Sequence, residues 1–321
     1  MAGLKLNHIY KVYENGHKAV NDFSIDIEDK ELLTSFFTSH PILVSDLTFT
    51  NLYLWHYARH ISYIILNDCL VIKTQYPDEN PFIFYPIHKN NNLDSKKQTI
   101  LQIMESCKGK GLKFSIHSLS TVDKEELEQL MPNTFDFIYR EDRSDYIYSI
   151  PELIELKGKK YHKKKTHLNR FIERYAFSYE ALSTYDVNEL ISTYQAWFGK
   201  ISDNASEGLR NEYVGIIESL KEFHNLDFQG GILRVEGKII AFSFGEPLNK
   251  DTVVIHIEKA DIEYQGAYQA INREFLANAW SAYNLVNREE DLGIKGLRKA
   301  KQSYQPLYLQ QKFDAVLKSI S

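Results

Sequence analysis

Cysteine is scarce in this chain, and long apolar runs and glycine-rich nucleotide loops are missing from it. Only two of its 321 residues are cysteine, Cys69 and Cys107. Two distant cysteines build neither a disulfide framework nor a zinc site, and both read as small buried hydrophobes. No apolar run approaches the roughly 20 residues of a membrane span; residues 61–66 are among the longest. The opening residues lack the basic-then-apolar order of a secretory signal, so the expected compartment is the cytoplasm. There is no Walker loop, no dinucleotide fingerprint, no Gly-x-Ser-x-Gly elbow and no Cys–His signature. No His/Cys cluster has metal-ligand spacing, so no metal, no serine nucleophile and no tightly bound cofactor are expected. Repeats of solenoid period and low-complexity tracts are missing too.

What is present is a globular composition, 43% hydrophobic and 25% charged, with a length that suits two domains of about 150 residues. Aromatics are heavy, 21 Tyr and 18 Phe, and gather in strand-like runs such as Phe82-Ile83-Phe84-Tyr85. A net charge of −5 argues against wholesale coating of nucleic acid and against a DNA partner. Contact with a polyanion would have to be local.

Hydrophobic periodicity predicts helices over 29–37 and 45–58, then a hairpin of 61–66 with 70–74 about Asn67-Asp68. A strand at 82–86, a helix over 93–107 closed by Gly109 and Gly111, a strand at 113–118 and a helix over 122–130 follow. Strands 135–139 and 146–149 are expected to complete the first domain. The second opens with a basic helix, 158–175, and continues through strand 177–182 and helices 187–198 and 208–224. Strands 230–235 and 238–247 flank a turn at Glu236-Gly237, followed by strand 252–259, helix 267–280, buried strand 284–287, helix 294–304 and strand 307–313. This order, with an antiparallel meander in its middle, predicts an α+β layer fold rather than a doubly wound parallel sheet. The expected divisions are 1–27, 28–155 and 156–321, with any chemistry in the last.

Four segments carry candidate chemistry. In strand 252–259, alternation places Val254, His256 and Glu258 on one face. Glu258 as general base with His256 as its partner is one reading; a hydrogen-bonded pair within the sheet is the other. Next, Gly266 opens a helix whose free N–H groups suit phosphate, although glycine also simply starts helices. The third segment, 287–304, strings acids, Arg, Lys and Tyr behind a buried strand, as an active-site wall or as surface ion pairs. Here Asn287, Glu289, Arg298, Lys301 and Tyr304, with Lys259 from the strand before, are candidate substrate contacts. Finally, Lys163, His167, Arg170 and Arg174 form one helical stripe, with Lys160 and Lys164 adding charge. That face suits a polyanion such as RNA or a lipid headgroup, or is a solvated lysine face.

Taken together, five stretches are similar to a known family: Ser45-Asp-Leu-Thr-Phe-Thr-Asn-Leu-Tyr-Leu-Trp55, Lys157-Gly-Lys-Lys-Tyr-His-Lys-Lys-Lys165, Val254-Ile-His-Ile-Glu-Lys-Ala260, Gly266-Ala-Tyr-Gln-Ala-Ile-Asn272 and residues 287–304. From about Glu28 to the C-terminus they resemble, in order, the C-terminal domain of phosphatidylglycerol lysyltransferases and their stand-alone bacterial relatives. The resemblance implies two tandem GNAT-like (acyl-CoA N-acyltransferase-like) domains with mixed, mostly antiparallel sheets flanked by helices. It also implies an aminoacyl-tRNA donor and a lipid hydroxyl or amine acceptor. The basic helix would then meet tRNA or an anionic lipid headgroup, and the groove by strand 252–259 would hold the acyl donor. The GNAT phosphate loop is not matched around Gly266, where Glu263 and Tyr268 hold the framing positions. A coenzyme A-dependent N-acyltransferase using acyl-CoA is therefore the second reading. A non-catalytic GNAT-like module that binds RNA, nucleotide or a protein is the third. An open channel to Glu258 lined by Arg298 would favour an enzyme; aromatics plugging it would favour the module.

Residues 1–30 look different. They resemble the opening of a sugar-importer ABC ATPase, with Tyr13 where adenine stacks, but without the glycine loop that binds phosphate. A gene fusion at 27–31, reusing 25–27 as an edge strand of the first domain, is the expected origin.

Overall fold

The computed structural model describes residues 24–318 in full, and the backbone of Lys11–Val12, Lys18–Ala19 and Phe23 besides. The nucleotide-stacking expectation for Tyr13 therefore falls outside the described residues. In chain order the strands β1 (Lys11–Val12) and β2 (Lys18–Ala19) pair with each other, and β3 (Phe23–Ser24) joins the first large sheet. Helices α1 (Lys30–Phe37) and α2 (Phe49–Trp55) precede β4 (His60–Leu66), β5 (Cys69–Gln75), β6 (Phe82–Ile83) and β7 (Ile87–His88). Then come α3 (Leu93–Gly109), β8 (Ser115–Leu119), α4 (Thr121–Leu130), β9 (Phe135–Tyr139) and β10 (Asp145–Ser149). The remainder begins with α5 (Ile150–Glu155), α6 (His162–Arg174), β11 (Phe177–Ala181), α7 (Val187–Gly199) and α8 (Glu207–Lys221). It continues with β12 (Gln229–Val235), β13 (Lys238–Pro247), β14 (Thr252–Ala260), α9 (Ala267–Ala279) and β15 (Leu285–Asn287). It closes with α10 (Lys295–Gln302), β16 (Tyr308–Gln310) and β17 (Phe313–Leu317).

Local chemistry explains most of these boundaries. Asn67 and Asp68 turn the β4–β5 hairpin with φ of 49° and 61°, as a tight two-residue turn demands. Ser120 caps α4 in a reciprocal box with Asp123, and Ser149 caps α5 just ahead of Pro151. The basic segment starts later as an α-helix than its charge pattern suggests, because Lys159–Tyr161 is a 3-10 turn.

The two large sheets have the same plan. One runs β3-β4-β5-β6-β8-β17-β9, with β7 also on β5; the other runs β11-β12-β13-β14-β15-β10-β16. In each, the fourth and fifth strands are parallel and their other neighbours antiparallel. The sixth position in each is filled from the far half of the sequence. The 146–149 strand, expected to complete the first domain, instead pairs with β15 and β16. The expected strand at 307–313 is really two, β16 in the second sheet and β17 between β8 and β9 of the first. Period-two patterning marks a strand but not the sheet it joins. The edge strand expected at 25–27 also differs: it is Phe23–Ser24, and Ile27–Asp29 is a 3-10 turn.

Where the exchanged strands cross, Lys312, just before β17, is 1% exposed and reaches Asp145 at the start of β10 at 2.6 Å. Its ammonium also lies 2.6 Å from Asp46 and 3.6 Å from Glu290. A shared apolar layer joins the halves, with Leu33, Phe36, Leu52 and Leu54 of α1 and α2 meeting Leu190, Tyr194, Ile216 and Leu220 of α7 and α8. Each such buried side chain contributes roughly 1.5–3 kcal/mol. The approach of α2 to α8 requires glycine at Gly215, where a Cβ would lie 2.0 Å from the Leu54 carbonyl oxygen. On its outer face the second sheet is covered by α5, α6 and α9 through Leu153, Leu168, Phe171, Ile271 and Phe275.

Candidate active site

The parallel strands β14 and β15 pair only from Thr252/Leu285 to Val254/Asn287, then part. A bulge opens at the same level: Phe244 faces Ile257 while Gly245 faces Ile255, so His256 is the extra residue on β14. The strict alternation expected for this strand is therefore broken. Val254 and Ile257, three apart, both pack into the central layer, whereas Ile255 joins the outer one. Glu258 points to the α9 side, and His256 does not partner it.

Two charged pairs bridge the gap between the parted strands. Glu258 accepts from Arg288 Nη2 at 3.0 Å and from Asn272 Nδ2 of α9 at 2.9 Å. The guanidinium lies between aromatic faces, its carbon 4.6 Å from the Tyr304 ring centroid and 5.6 Å from that of Tyr148. Burial works against its charge, but the neighbouring Glu258 carboxylate outweighs this and holds Arg288 above its usual value. Arg288 Nη1 and the Tyr304 hydroxyl are both buried and no well-aligned hydrogen bond satisfies either, although the hydroxyl lies beside the guanidinium and the Gln269 amide. Buried donors left open in this way cost stability and suit an oxygen-rich ligand. Lys164 of α6 completes the group, its ammonium 3.8 Å over the Tyr304 ring. Burial and the Arg288 charge lower Lys164 to about 8, with Glu258 partly opposing. Burial raises the Tyr304 phenol well above its ordinary value, so it remains a donor.

The second bridge is His256, whose side chain is fully buried. Its Nδ1 is 2.9 Å from Glu289 Oε1 and its Nε2 is 2.9 Å from Glu246 Oε1. Burial alone would lower its pKa; the two carboxylates override it and raise the imidazole to about 9.

The other residues singled out from the sequence are mostly engaged elsewhere. Lys259 pairs with Glu212 at 2.6 Å. Asn287 is buried and donates to Asp145 at 2.8 Å. Arg298, expected to line the channel, is held by Asp291 through Nε at 2.7 Å and Nη2 at 3.2 Å. Lys301 donates to the backbone carbonyls of Arg288 and Glu289. Burial lowers it to about 8, with the Glu289 charge opposing. Tyr304 falls just past the end of α10 rather than within it. On α6, Lys163, His167, Arg170 and Arg174 are exposed, as their stripe implies, and Lys164 turns inward, while Lys160 in the 3-10 turn before the helix pairs with Glu152. Gly266, read as a phosphate contact, has φ of 95°, and a Cβ there would lie 2.6 Å from the His167 carbonyl oxygen. Packing of α9 under α6 accounts for that glycine.

Arg288, Asn272, Tyr148 and Glu246 were not among the candidates. Arg288 directly follows Asn287 at the end of a buried strand, which was a usable signal. Tyr148 had none, because its strand was expected in the other sheet.

Several known proteins share this architecture. The family model for phosphatidylglycerol lysyltransferase, C-terminal, matches residues 40–316. A conserved protein of unknown function from Bacteroides thetaiotaomicron is similar in structure, with a TM-score of 0.85 and 34% identity, over 94% of this chain and 100% of that one. An uncharacterized protein of Mycoplasmoides gallisepticum is 26% identical over 76% of this chain and 77% of its own length. L-PGS from Bacillus licheniformis shares the fold at a TM-score of 0.63 and 16% identity, over 93% of this chain and 94% of that one. No helix among the described residues is long and apolar enough to cross a membrane. The chain belongs to the phosphatidylglycerol lysyltransferase C-terminal family, with an α+β fold of two mixed sheets flanked by helices.

Proposed function

We propose that the chain moves an aminoacyl group from aminoacyl-tRNA to a hydroxyl or amine acceptor, a lipid hydroxyl being the first to test. The carrying observation is the convergence of two buried donors that no well-aligned hydrogen bond satisfies, Arg288 Nη1 and the Tyr304 hydroxyl, beside the Lys164 amine where β14 and β15 part. An aminoacyl ester is already activated, so the protein must take a proton from the acceptor and stabilise an oxyanion. In this reading Arg288 Nη1 and Tyr304 donate to the carbonyl oxygen as it gains charge. Neutral Lys164 accepts the acceptor's proton as the new bond to the carbonyl carbon forms. The bond to the ribose oxygen then breaks, and that oxygen takes the proton from Lys164. Glu258 serves as the counter-ion that aims Arg288, rather than as the base, since Arg288 and Asn272 already occupy it. The exposed Lys163, Arg170 and Arg174 would meet the tRNA backbone.

The test incubates the protein with labelled charged tRNA and phosphatidylglycerol vesicles, beside the Arg288→Gln variant. Binding of uncharged tRNA and acetyl-coenzyme A is measured in parallel. Transfer by the wild type that is lost in the variant supports the reading. Binding of acetyl-coenzyme A alone would move the donor to an acyl-CoA. Absence of both transfer and binding would overturn the enzyme reading and leave a non-catalytic module.

A further inference from the structure

His256 is poorly placed to act on a substrate and well placed to act on the gap. Its side chain has no exposed surface, and both ring nitrogens face carboxylate oxygens at 2.9 Å. A neutral imidazole donates through one nitrogen only, so its other lone pair would confront a carboxylate. With both carboxylates ionised, the ring is an imidazolium with two charge-assisted bonds. Those bonds tie different elements: Glu246 belongs to β13, and Glu289 lies in the segment that leaves β15. His256 itself is the bulged residue of β14.

The Glu289 end of the bridge is firmly placed. Its φ is 57°, its Oε1 also accepts from Asn51 Nδ2 of α2 at 3.1 Å, and its N–H bonds Asn287 Oδ1 at 2.7 Å. The Lys301 ammonium holds its carbonyl at 3.0 Å, and that of Arg288 as well. Arg288 is thus the residue directly before the one that the imidazolium grips. Facing the imidazole are Glu246 from β13 and Glu289 from beyond β15, with Asn51 of α2 and Lys301 of α10 bonded to Glu289.

We infer that His256 is a positioning residue: an imidazolium at neutral pH, bonded to Glu246 and Glu289, that sets the opening between β14 and β15 and so keeps Arg288 in reach of Glu258. The inference rests on the reaction site proposed above, but its first test does not depend on activity. Nitrogen-15 NMR of the histidine rings should show both His256 nitrogens protonated at pH 7.5, with loss of the proton at about 9. The Arg288 guanidinium N–H signals should be protected from exchange and lose protection in the same transition. In Glu289→Gln, one carboxylate is gone and the His256 midpoint should fall by at least about one pH unit. The Arg288 signals should follow it down. In the transfer assay the same variant should lose kcat roughly ten- to a hundredfold with little change in KM for the donor. The alkaline limb of its rate profile should move with the NMR midpoint. Glu246→Gln provides the second variant should Glu289→Gln not fold. A neutral His256 at pH 7.5 would overturn the inference. So would a His256 titration that leaves Arg288 unchanged, or wild-type kcat in a variant whose His256 is neutral at the assay pH. If no donor supports transfer in any protein, the proposed function fails while the NMR outcomes still decide the role of His256.

Discussion

Glu258 and Arg288 meet across the opening between two parallel strands that have stopped pairing, carboxylate to guanidinium at 3.0 Å. Each side chain is only 12–13% exposed, so removing one leaves the other largely desolvated. Arg288→Gln is expected to cost about 3 kcal/mol in urea denaturation and to lower transfer by about a hundredfold. The double variant Glu258→Gln/Arg288→Met should recover much of the stability but none of the transfer. Equal recovery of both would mean that the pair only holds the fold.

The Lys164 amine has a definite pH signature. It is lowered to about 8, so it is mostly charged at pH 7 and mostly neutral above 8. If the neutral amine takes the acceptor's proton, the transfer rate rises through pH 8, and it falls again where His256 loses its proton at about 9. Lys164→Met should flatten that rise. Stability follows the same sign: the folded state binds fewer protons than the unfolded chain between about 8 and the ordinary lysine value of 10.5. The cost of burying the Lys164 charge is therefore relieved as pH rises across that window. In thermal melts the wild type should gain on Lys164→Met toward its alkaline end. A rate profile unchanged by Lys164→Met would remove it as the base.

Most individual elements were legible from the sequence, because hairpin turns, caps and apolar spacing are local signals. The partnership of elements was not. Tyr146 and Tyr148 read as a strand ending the first domain, yet they pair across with Leu309, Val286 and other residues far along the chain. Strict alternation put His256 and Glu258 on one face, and a single bulge separated them. The inward turn of Lys164 among outward-facing lysines depended on the position of Tyr304, fixed only when α10 packs. Charge pattern located the region of the site; tertiary contacts chose which charges are free. Arg298 looked available because Asp291, seven residues earlier, gave no sign that it would be its partner.

Gly266→Ala separates packing from phosphate binding. The new methyl would meet the His167 carbonyl at 2.6 Å in a backbone with φ of 95°. The expected cost is about 1–3 kcal/mol in denaturation, with acetyl-coenzyme A affinity unmoved. A variant as stable as wild type that has lost affinity for an anionic ligand would restore the phosphate reading.

Lys312 tests the strand exchange. Its ammonium, 1% exposed, compensates Asp145 and Asp46 at 2.6 Å each. Burial raises the Asp145 carboxyl to about 6, with Lys312 partly opposing. Lys312→Met leaves these acids uncompensated and should cost roughly 3–5 kcal/mol at pH 7.5. Part of that loss should be regained as pH falls, since protonation removes the unpaired charge. Denaturation midpoints at pH 5.5 and 7.5 give the comparison, and an equal loss at both would exclude the acids as its cause.

The exposed face of α6 makes a prediction about salt. Arg170 and Arg174 lie one helical turn apart on the surface, and neither has an ion-pair partner among the described residues. Each phosphate contact releases counter-ions, so log affinity falls with log salt by about 0.7–0.9 per contact. Arg170→Glu/Arg174→Glu should weaken tRNA binding at low salt and make the slope shallower by up to about two contacts' worth. The fold should be untouched, because both side chains are solvated. The Glu258–Arg288 pair lies inside, so the double variant should still transfer at saturating tRNA, with the loss appearing in KM for the donor. An unchanged salt slope would place the tRNA elsewhere, and a loss confined to kcat would mean that α6 acts on the half-buried Lys164 rather than on the polyanion.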